Sequence, residues 1–151
     1  MTMLGYLDGK NGASYLDLAD FLTSHGAKVQ SDLEQLWRRI VFNLCVANTD
    51  DHLRNHGFLL TPNGWCLSPA YDINPNPYGN GLSLNISEHD NSLSLDLAME
   101  VSPFFRLTEA RSREIMREVC AAVSDWRECA ARHGLSKHEQ DRMASAFAAC
   151  E

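Results

Sequence analysis

Apolar residues between Leu33 and Cys45 recur at intervals of three and four, and no other feature constrains the possible folds as strongly. This spacing places them on one broad face of a helix, whereas a strand would require strict alternation. Ser31 and Glu34 have the spacing of a capping box at its start, and the helix is predicted to end near Ala47. The apolar face consists of Leu33, Leu36, Trp37, Ile40, Val41, Leu44 and Cys45. The chain is therefore expected to form around one buried helix.

Further helices are predicted on both sides of this core helix. Ser14 with Asp17 marks the start of the first helix, and Gly26 marks its end. Ser136 with Glu139 is a capping box that begins the last helix. Two more helices are predicted at residues 93–101 and at residues 109–133, the second with Thr108 as its cap and Gly134 beyond its end.

A β-hairpin is predicted around Thr61-Pro62-Asn63-Gly64, because a glycine at a turn tolerates positive φ and short apolar stretches lie on both sides. These stretches are residues 58–60 and 65–67. If the last two turn residues form a two-residue loop, facing residues have numbers that sum to 127, as those of Asn55 and Asp72 do. A three-residue loop would shift this register by one place and still leave the pair as neighbours.

The segment after the hairpin is expected to be mostly irregular. Residues 69–81 are rich in proline, asparagine and glycine, whereas Leu82, Leu84 and Ile86 alternate with polar residues and predict a short strand. The predicted fold class is mainly α (α+β), a helical domain with one inserted β-hairpin, and residues 1–151 are expected to form a single domain.

Composition narrows the functional classes. A formal net charge of −7 over 151 residues argues against wholesale wrapping of a nucleic-acid backbone. The five cysteines are scattered without a C-x-x-C pair, so they predict neither a zinc knuckle nor a disulfide framework, but reduced and buried thiols in a cytoplasmic protein. No apolar run is long enough to span a bilayer.

The residues with the clearest chemical signal follow the core helix, in the segment Asn48-Thr49-Asp50-Asp51-His52-Leu53-Arg54-Asn55. Phosphoryl transfer needs a carboxylate near the attacking hydroxyl and oxygen ligands that hold magnesium against the phosphates. Protein kinases place the base aspartate and a metal-binding asparagine five residues apart, as Asp50 and Asn55 are, while Asp51 is one residue too close. Asp72, beyond the hairpin, is the expected second oxygen ligand.

The pattern Asp50-x-His52-x-x-Asn55 followed by Tyr71-Asp72 resembles the C-terminal lobe of the HipA-type kinase toxins of bacterial toxin–antitoxin modules. The phrases LWRRIVFNLCVANTDDHLRNHGFLL and GWCLSPAYDINP and the helical tail extend this resemblance over nearly the whole chain, and the loop order also resembles lipid kinases. The resemblance implies a serine/threonine protein kinase that uses ATP and Mg²⁺. Asp50 would then be the base, Asn55 and Asp72 would be metal and cofactor ligands, and His52 would brace the catalytic loop.

One departure from this family is large, because the sequence contains no G-x-G-x-x-G, no P-loop and no lysine on an early strand. Lys10 lies among Gly5, Gly9 and Gly12 and is interpreted as a turn lysine. The chain is therefore expected to be a C-terminal lobe without its N-terminal lobe, with little or no kinase activity alone. The implied partners are a protein substrate and an antitoxin (HipB-like) or a separate N-terminal lobe, with DNA bound only through an antitoxin and no membrane.

Two alternatives remain open. The first is a non-catalytic module that docks an antitoxin or a partner lobe. The second and weaker one is a metallohydrolase, since His52 and His56 are four residues apart, the helical spacing of two zinc ligands. A further ligand would have to be Asp72 or His89, and the intervening residues lack the glutamate base of a zinc peptidase.

Overall fold

The computed structural model describes residues 4–5 and 12–150, so the predicted turn at Gly9 and Lys10 lies outside the described residues. Within this part of the chain, helices surround one two-stranded antiparallel sheet, which confirms the mainly α (α+β) class. The helices are α1 (Tyr15–His25), α2 (Val29–Cys45), α3 (Leu95–Val101), α4 (Glu109–Ser124), α5 (Trp126–Arg132) and α6 (Lys137–Met143). The strands are β1 (Phe58–Thr61) and β2 (Gly64–Leu67), and 3-10 turns occur at Leu53–Asn55, Ser102–Phe105 and Ala144–Cys150.

Helix α2 is the centre of the hydrophobic core, as its spacing predicts. Leu36, Trp37 and Ile40 are fully buried, and α2 contacts α1, α3, α4, β2 and the final 3-10 turn. The indole Nε1 of Trp37 donates a hydrogen bond of 3.0 Å to the carbonyl oxygen of Ala98 in α3, so its one polar atom is satisfied. Burial of each such side chain contributes about 1.5–3 kcal/mol, so the apolar face of α2 stabilises the fold.

The predicted start of α2 is wrong. The helix begins at Val29 with Lys28 at its N-cap, and the hydroxyl of Ser31 donates to the Lys28 carbonyl oxygen at 3.1 Å instead of capping the helix. The reason is the short connection from α1, in which the Ala27 N–H donates to Trp65 and the next helix starts at once. The carboxylate of Asp32 accepts a bond of 3.0 Å from the Leu67 N–H, which joins the first turn of α2 to β2.

Capping elsewhere agrees with the prediction. Ser14 and Asp17 form the capping box of α1, Gly26 follows its last residue, and Ser136 with Glu139 caps α6. The side chain of Thr108 caps α4.

The predicted helix at residues 109–133 is divided, because it is interrupted at Asp125 and forms α4 and α5. After the break, the Trp126 ring stacks on Phe147 with ring centroids 4.2 Å apart, a contact that spacing along one helix cannot reveal.

The hairpin forms, but its predicted register is wrong. The facing pairs run from Phe58–Leu67 to Thr61–Gly64, so the turn is Pro62-Asn63 and the pairing is two residues out of the predicted register. Gly64 has φ +127°, and a Cβ atom at this position would lie 2.8 Å from the carbonyl oxygen of His25. Only glycine fits this position, because it needs both the unusual φ and the missing side chain.

The predicted strand at residues 82–86 is also not formed. Leu82, Leu84 and Ile86 are buried in alternation, as the pattern indicates, but the segment makes only an isolated bridge between Asn85 and Ser14. Alternating burial thus shows which side chains enter the core, but it does not show that a partner strand exists.

Among the described residues, no helix combines the length and the apolar character that crossing a bilayer requires.

Candidate active site in the loop after helix α2

The loop that follows α2 is held against the helix end by two asparagines. Val46 is the C-cap, and Ala47 adopts the left-handed conformation with φ +46°, which turns the chain back across α2. The N–H of Asn48 then donates to the Asn43 carbonyl oxygen at 2.8 Å, and its side-chain amide donates to the Asn43 Oδ1 at 3.1 Å. Both side chains are buried, so the loop begins from a defined point.

Asp51 is the buried centre of a polar network. One carboxylate oxygen, Oδ2, accepts bonds from the Tyr15 hydroxyl, from the Asn43 amide at 2.8 Å and from the His56 Nε2 at 2.9 Å. Burial and the adjacent Asp51 carboxylate raise the pKa of Tyr15 well above its usual range. The His56 ring can donate this bond from Nε2 when its hydrogen is on that atom. Three donors to one buried carboxylate offset the cost of removing it from water.

This network fixes the neighbours of two predicted site residues. Asp51 follows Asp50 directly, and His56 follows Asn55 directly, so the bond between Asp51 and His56 closes the loop at both ends. Within the closed loop, the Asn55 N–H donates to the His52 carbonyl oxygen at 2.8 Å and forms the 3-10 turn. Held in this way, Asp50 and Asn55 sit on a rigid support, which a catalytic loop needs for precise orientation.

The structure brings the side chains of Asn55 and Asp72 together. The Asn55 Nδ2 donates to the Asp72 Oδ2 at 2.8 Å, and the Asn74 amide donates to the other carboxylate oxygen at 2.9 Å. The Oδ1 atom of Asn55 is buried and has no hydrogen-bond partner. Asp72 is exposed and has φ +56°, a conformation that aspartate tolerates better than most residues and that is frequent at functional sites.

Asn55 and Asp72 lie beyond the ends of the two strands, so strand pairing does not bring them together. The Ser68 N–H donates to the Gly57 carbonyl oxygen at 2.9 Å and extends the hairpin by one pair. The Tyr71 hydroxyl then donates to the Arg54 carbonyl oxygen at 2.7 Å and draws the next segment across the loop. Asn55 and Asp72 are therefore neighbours, as predicted, although the hairpin register from which this was predicted does not form.

A second irregular segment packs on the same loop at Thr49. The Asn76 amide donates to the Thr49 hydroxyl at 2.6 Å, and the Ser83 hydroxyl donates to the Thr49 carbonyl oxygen at 2.7 Å. Gly79 approaches so closely that a Cβ there would lie 2.2 Å from the Thr49 Oγ1. Residues 76–83 thus pack on the loop at Thr49, the residue that precedes Asp50.

The predicted site residues differ in their surroundings. Asp50 is exposed, Asn55 is buried, and His52 is half-buried with an Nδ1 atom that has no hydrogen-bond partner. The ring that braces the loop through a hydrogen bond is that of His56, and a bracing role for the His52 ring stays a prediction. The network of Asp51 was missed, although one signal was available: Asn43 is a polar residue within the apolar stretch of α2.

The arrangement does not assemble the zinc site of the metallohydrolase alternative. His52 precedes the 3-10 turn and His56 follows it, so they do not share a helical face, and His56 is bound to Asp51. The side chain of His89 is 92% exposed. Among the histidines, cysteines and carboxylates of the described ranges, the one group of three within reach of a single ion consists of Cys45, Cys120 and Cys150 and includes neither histidine of this loop.

The chain folds as a helical domain with a polar loop after α2, and a short hairpin lies between this loop and Asp72. Comparison with known proteins identifies the class of this domain. A family model described as the HipA-like C-terminal domain matches residues 1–127, and the chain belongs to this family. A protein of Haemophilus influenzae described as "Putative kinase" is 32% identical over 73 residues. That alignment covers 47% of this chain and 21% of the relative, so it spans about a fifth of that protein's length.

Proposed function

We propose that this chain supplies the catalytic base and the magnesium ligands of an ATP-dependent serine/threonine kinase of the HipA family. The observation that carries the proposal is the bond of 2.8 Å between the side chains of Asn55 and Asp72. Asp50 precedes Asn55 on the same loop by the five residues that protein kinases use between base and metal ligand. The family match and the relative described as a kinase support the same reading.

The donors at this position fit Mg²⁺. This ion prefers hard oxygen ligands and is commonly held by one or two carboxylates together with phosphates and water. Asp72 offers a carboxylate, and the buried Oδ1 of Asn55 is an acceptor without a donor. An unmet buried acceptor costs about 1–3 kcal/mol, so a cation that engages it would recover free energy. When bound, Mg²⁺ would neutralise charge on the transferred phosphate.

Asp50 is proposed to accept the proton of the attacking serine or threonine hydroxyl. Its exposure allows a protein substrate to reach it, and the adjacent Asp51 holds the backbone in place through Tyr15, Asn43 and His56. A base that is fixed before the substrate arrives loses no orientation entropy in the transition state. His52 contributes its carbonyl oxygen to the turn that contains Asn55.

Most contacts to ATP are proposed to come from an N-terminal lobe that this sequence does not contain. The 151 residues include no glycine-rich phosphate loop, and a fixed lysine against the phosphates is a large part of transition-state stabilisation. We therefore expect little phosphate transfer by the chain alone. An N-terminal lobe added as a second polypeptide should restore it.

The test is reconstitution of phosphate transfer. The chain is mixed with an N-terminal lobe polypeptide of a HipA-family protein, Mg²⁺ and ATP labelled at the γ-phosphate, and incorporation into serine or threonine is measured. Asp50→Asn should lower the rate by about 10²–10⁴-fold, the usual contribution of a general base. Asp90→Asn, an exposed aspartate in another loop, is the matched control and should leave the rate unchanged.

Metal binding gives an independent measurement on the chain alone. Mn²⁺, a paramagnetic substitute for Mg²⁺, should broaden the NMR signals of the Asn55 side chain, and Asp72→Asn should remove this broadening. Equal phosphate transfer by the wild type and by Asp50→Asn, or broadening that Asp72→Asn does not change, would contradict the proposal.

A second candidate function is docking without catalysis, to a HipB-like antitoxin or to a partner lobe. Large apolar side chains near the loop favour it: Leu59 is 55% exposed, Leu60 69% and Tyr78 76%. Residues of this type are enriched where proteins meet. In the reconstitution, this function would appear as complex formation that Asp50→Asn leaves intact, without phosphate transfer by either chain.

A further inference from the structure

Three cysteines that are far apart in sequence meet at one point in the fold. Cys45 is the last residue of α2, Cys120 lies in α4, and Cys150 lies in the final 3-10 turn. The sulfur atoms of Cys45 and Cys120 are 3.7 Å apart, those of Cys120 and Cys150 are 2.7 Å apart, and all three lie within 4.8 Å of one another. The other two cysteines, Cys66 and Cys129, are not members of this group.

We propose that Cys45, Cys120 and Cys150 form a three-thiolate site for a thiophilic metal ion, Zn²⁺ or Cu⁺. Thiolate ligands select these ions over Mg²⁺ and Ca²⁺. With metal–sulfur bonds of about 2.3 Å, two sulfurs of a tetrahedral site are separated by about 3.8 Å. The pair Cys45–Cys120 already has this separation, and Cys150 must move away from Cys120 by about 1 Å to match it.

The surroundings suit a soft cation. Cys45 is buried and the other two thiols are half-buried, so an ion would be largely shielded from water.

A disulfide is the competing chemistry at this point. It would join two sulfurs at about 2.05 Å, would need an oxidant such as a peroxide or a small disulfide, and would leave one thiol unused. The third sulfur at 3.7 Å favours the metal, because three convergent donors are what a soft ion requires and a disulfide does not.

The site would join the C-terminal segment to the helix that leads into the loop. Without an ion, the turn Ala144–Cys150 is held by packing on α2 and α4. An ion bonded to all three sulfurs would tie this segment to the end of α2, where Asn48 begins the loop of the proposed active site. The inference does not depend on phosphate transfer.

The test uses the reduced full chain, prepared without oxygen. Titration with Co²⁺, a spectroscopic substitute for Zn²⁺, should produce a sulfur-to-metal charge-transfer band that saturates at one equivalent. Zn²⁺ and Cu⁺ are then added separately, and the ion that displaces Co²⁺ at the lower concentration is the preferred ligand. Binding should also raise the melting temperature, because an ion held only by the folded state stabilises it.

Variants separate the cluster from adventitious binding. Cys150→Ser and Cys120→Ser should each weaken binding by at least about tenfold and abolish the rise in melting temperature. Cys129→Ser, at an exposed thiol outside the group, is the matched control and should behave as the wild type. The proposal is overturned if the reduced chain takes up no metal, or if Cys150→Ser and Cys129→Ser bind it equally well.

Discussion

At the scale of single residues, the candidate site depends on polar side chains that do not take part in the proposed chemistry. Asp51 is adjacent to the proposed base, yet it is buried and accepts three hydrogen bonds at one oxygen. Each donor comes from a different part of the chain: α1, α2 and the end of the loop. A change at any of them should therefore alter the stability of the fold as well as the shape of the loop.

Tyr15→Phe tests this network. Removing the hydroxyl leaves the buried Asp51 with one donor fewer, so the free energy of unfolding at pH 7 should fall by about 1–3 kcal/mol in urea denaturation. Tyr78→Phe is the control, because the ring of Tyr78 is 76% exposed, and its stability should equal that of the wild type.

The same variant should change the pH dependence of stability. Burial and Asp51 raise the pKa of Tyr15 in the folded state, so the folded chain keeps a proton that the unfolded chain loses above about pH 10. The contribution of Tyr15 is fully present below that pH and is lost as the pH rises further. Thermal denaturation between pH 8 and pH 11 should show a shallower alkaline decline for Tyr15→Phe than for Tyr78→Phe, whereas equal declines would contradict the assignment.

At the scale of secondary-structure elements, the start of a helix could be predicted from sequence at one serine cap but not at another. Ser14 receives the bond from Asp17 that its spacing predicts, whereas Ser31, with equally suitable spacing, lies inside α2 and bonds back to Lys28. The difference arises in the connection: Ala27 is bound to the hairpin, and α2 begins before Ser31 is reached.

Alanine substitutions at these two serines should differ accordingly. Ser14→Ala removes an N-cap and should lower the free energy of unfolding by about 1 kcal/mol. Ser31→Ala removes only a bond to an exposed carbonyl and should change it by less than about 0.5 kcal/mol. Chemical denaturation of both variants measures the difference, and a larger loss for Ser31→Ala would restore the capping box predicted from sequence.

Local patterns thus predicted the elements well and their connections poorly. The spacing of Leu36, Trp37 and Ile40 identifies α2 because helical periodicity can be recognised within one segment of the sequence. The two-residue shift of the hairpin and the break at Asp125 depend on contacts between distant segments, such as Gly64 with His25 and Trp126 with Phe147. For the same reason, the meeting of Asn55 with Asp72 was predicted, but the contacts of Tyr71 and Ser68 that produce it were not.

At the scale of the whole molecule, one helix carries the core and also the residues that shape the loop. Ile40 and Leu36 are fully buried among α1, α3 and α4, while Asn43 and Cys45, one turn further on, hold the loop and the thiol cluster. Core packing and loop geometry are therefore coupled through the position of α2.

Substitution of Ile40 measures the contribution of this core. Ile40→Val should lower the free energy of unfolding by about 0.5–1.5 kcal/mol, and Ile40→Ala by about 2–5 kcal/mol, because a cavity remains where the side chain was. Leu60→Ala, at a side chain that is 69% exposed, should change it by less than about 0.5 kcal/mol. Guanidinium denaturation gives all three values, and equal losses for Ile40→Ala and Leu60→Ala would be incompatible with a core centred on α2.

The contact between Gly79 and Thr49 limits which sequences can keep this geometry. A notional Cβ at position 79 would overlap the threonine hydroxyl at 2.2 Å, so the Thr49 side chain fits against residue 79 only when that residue is glycine. Alanine at position 79 would push residues 76–83 outward and lengthen the hydrogen bonds from Asn76 and Ser83 to Thr49. The packing of residues 76–83 on the loop next to Asp50 therefore depends on a residue that has no side chain.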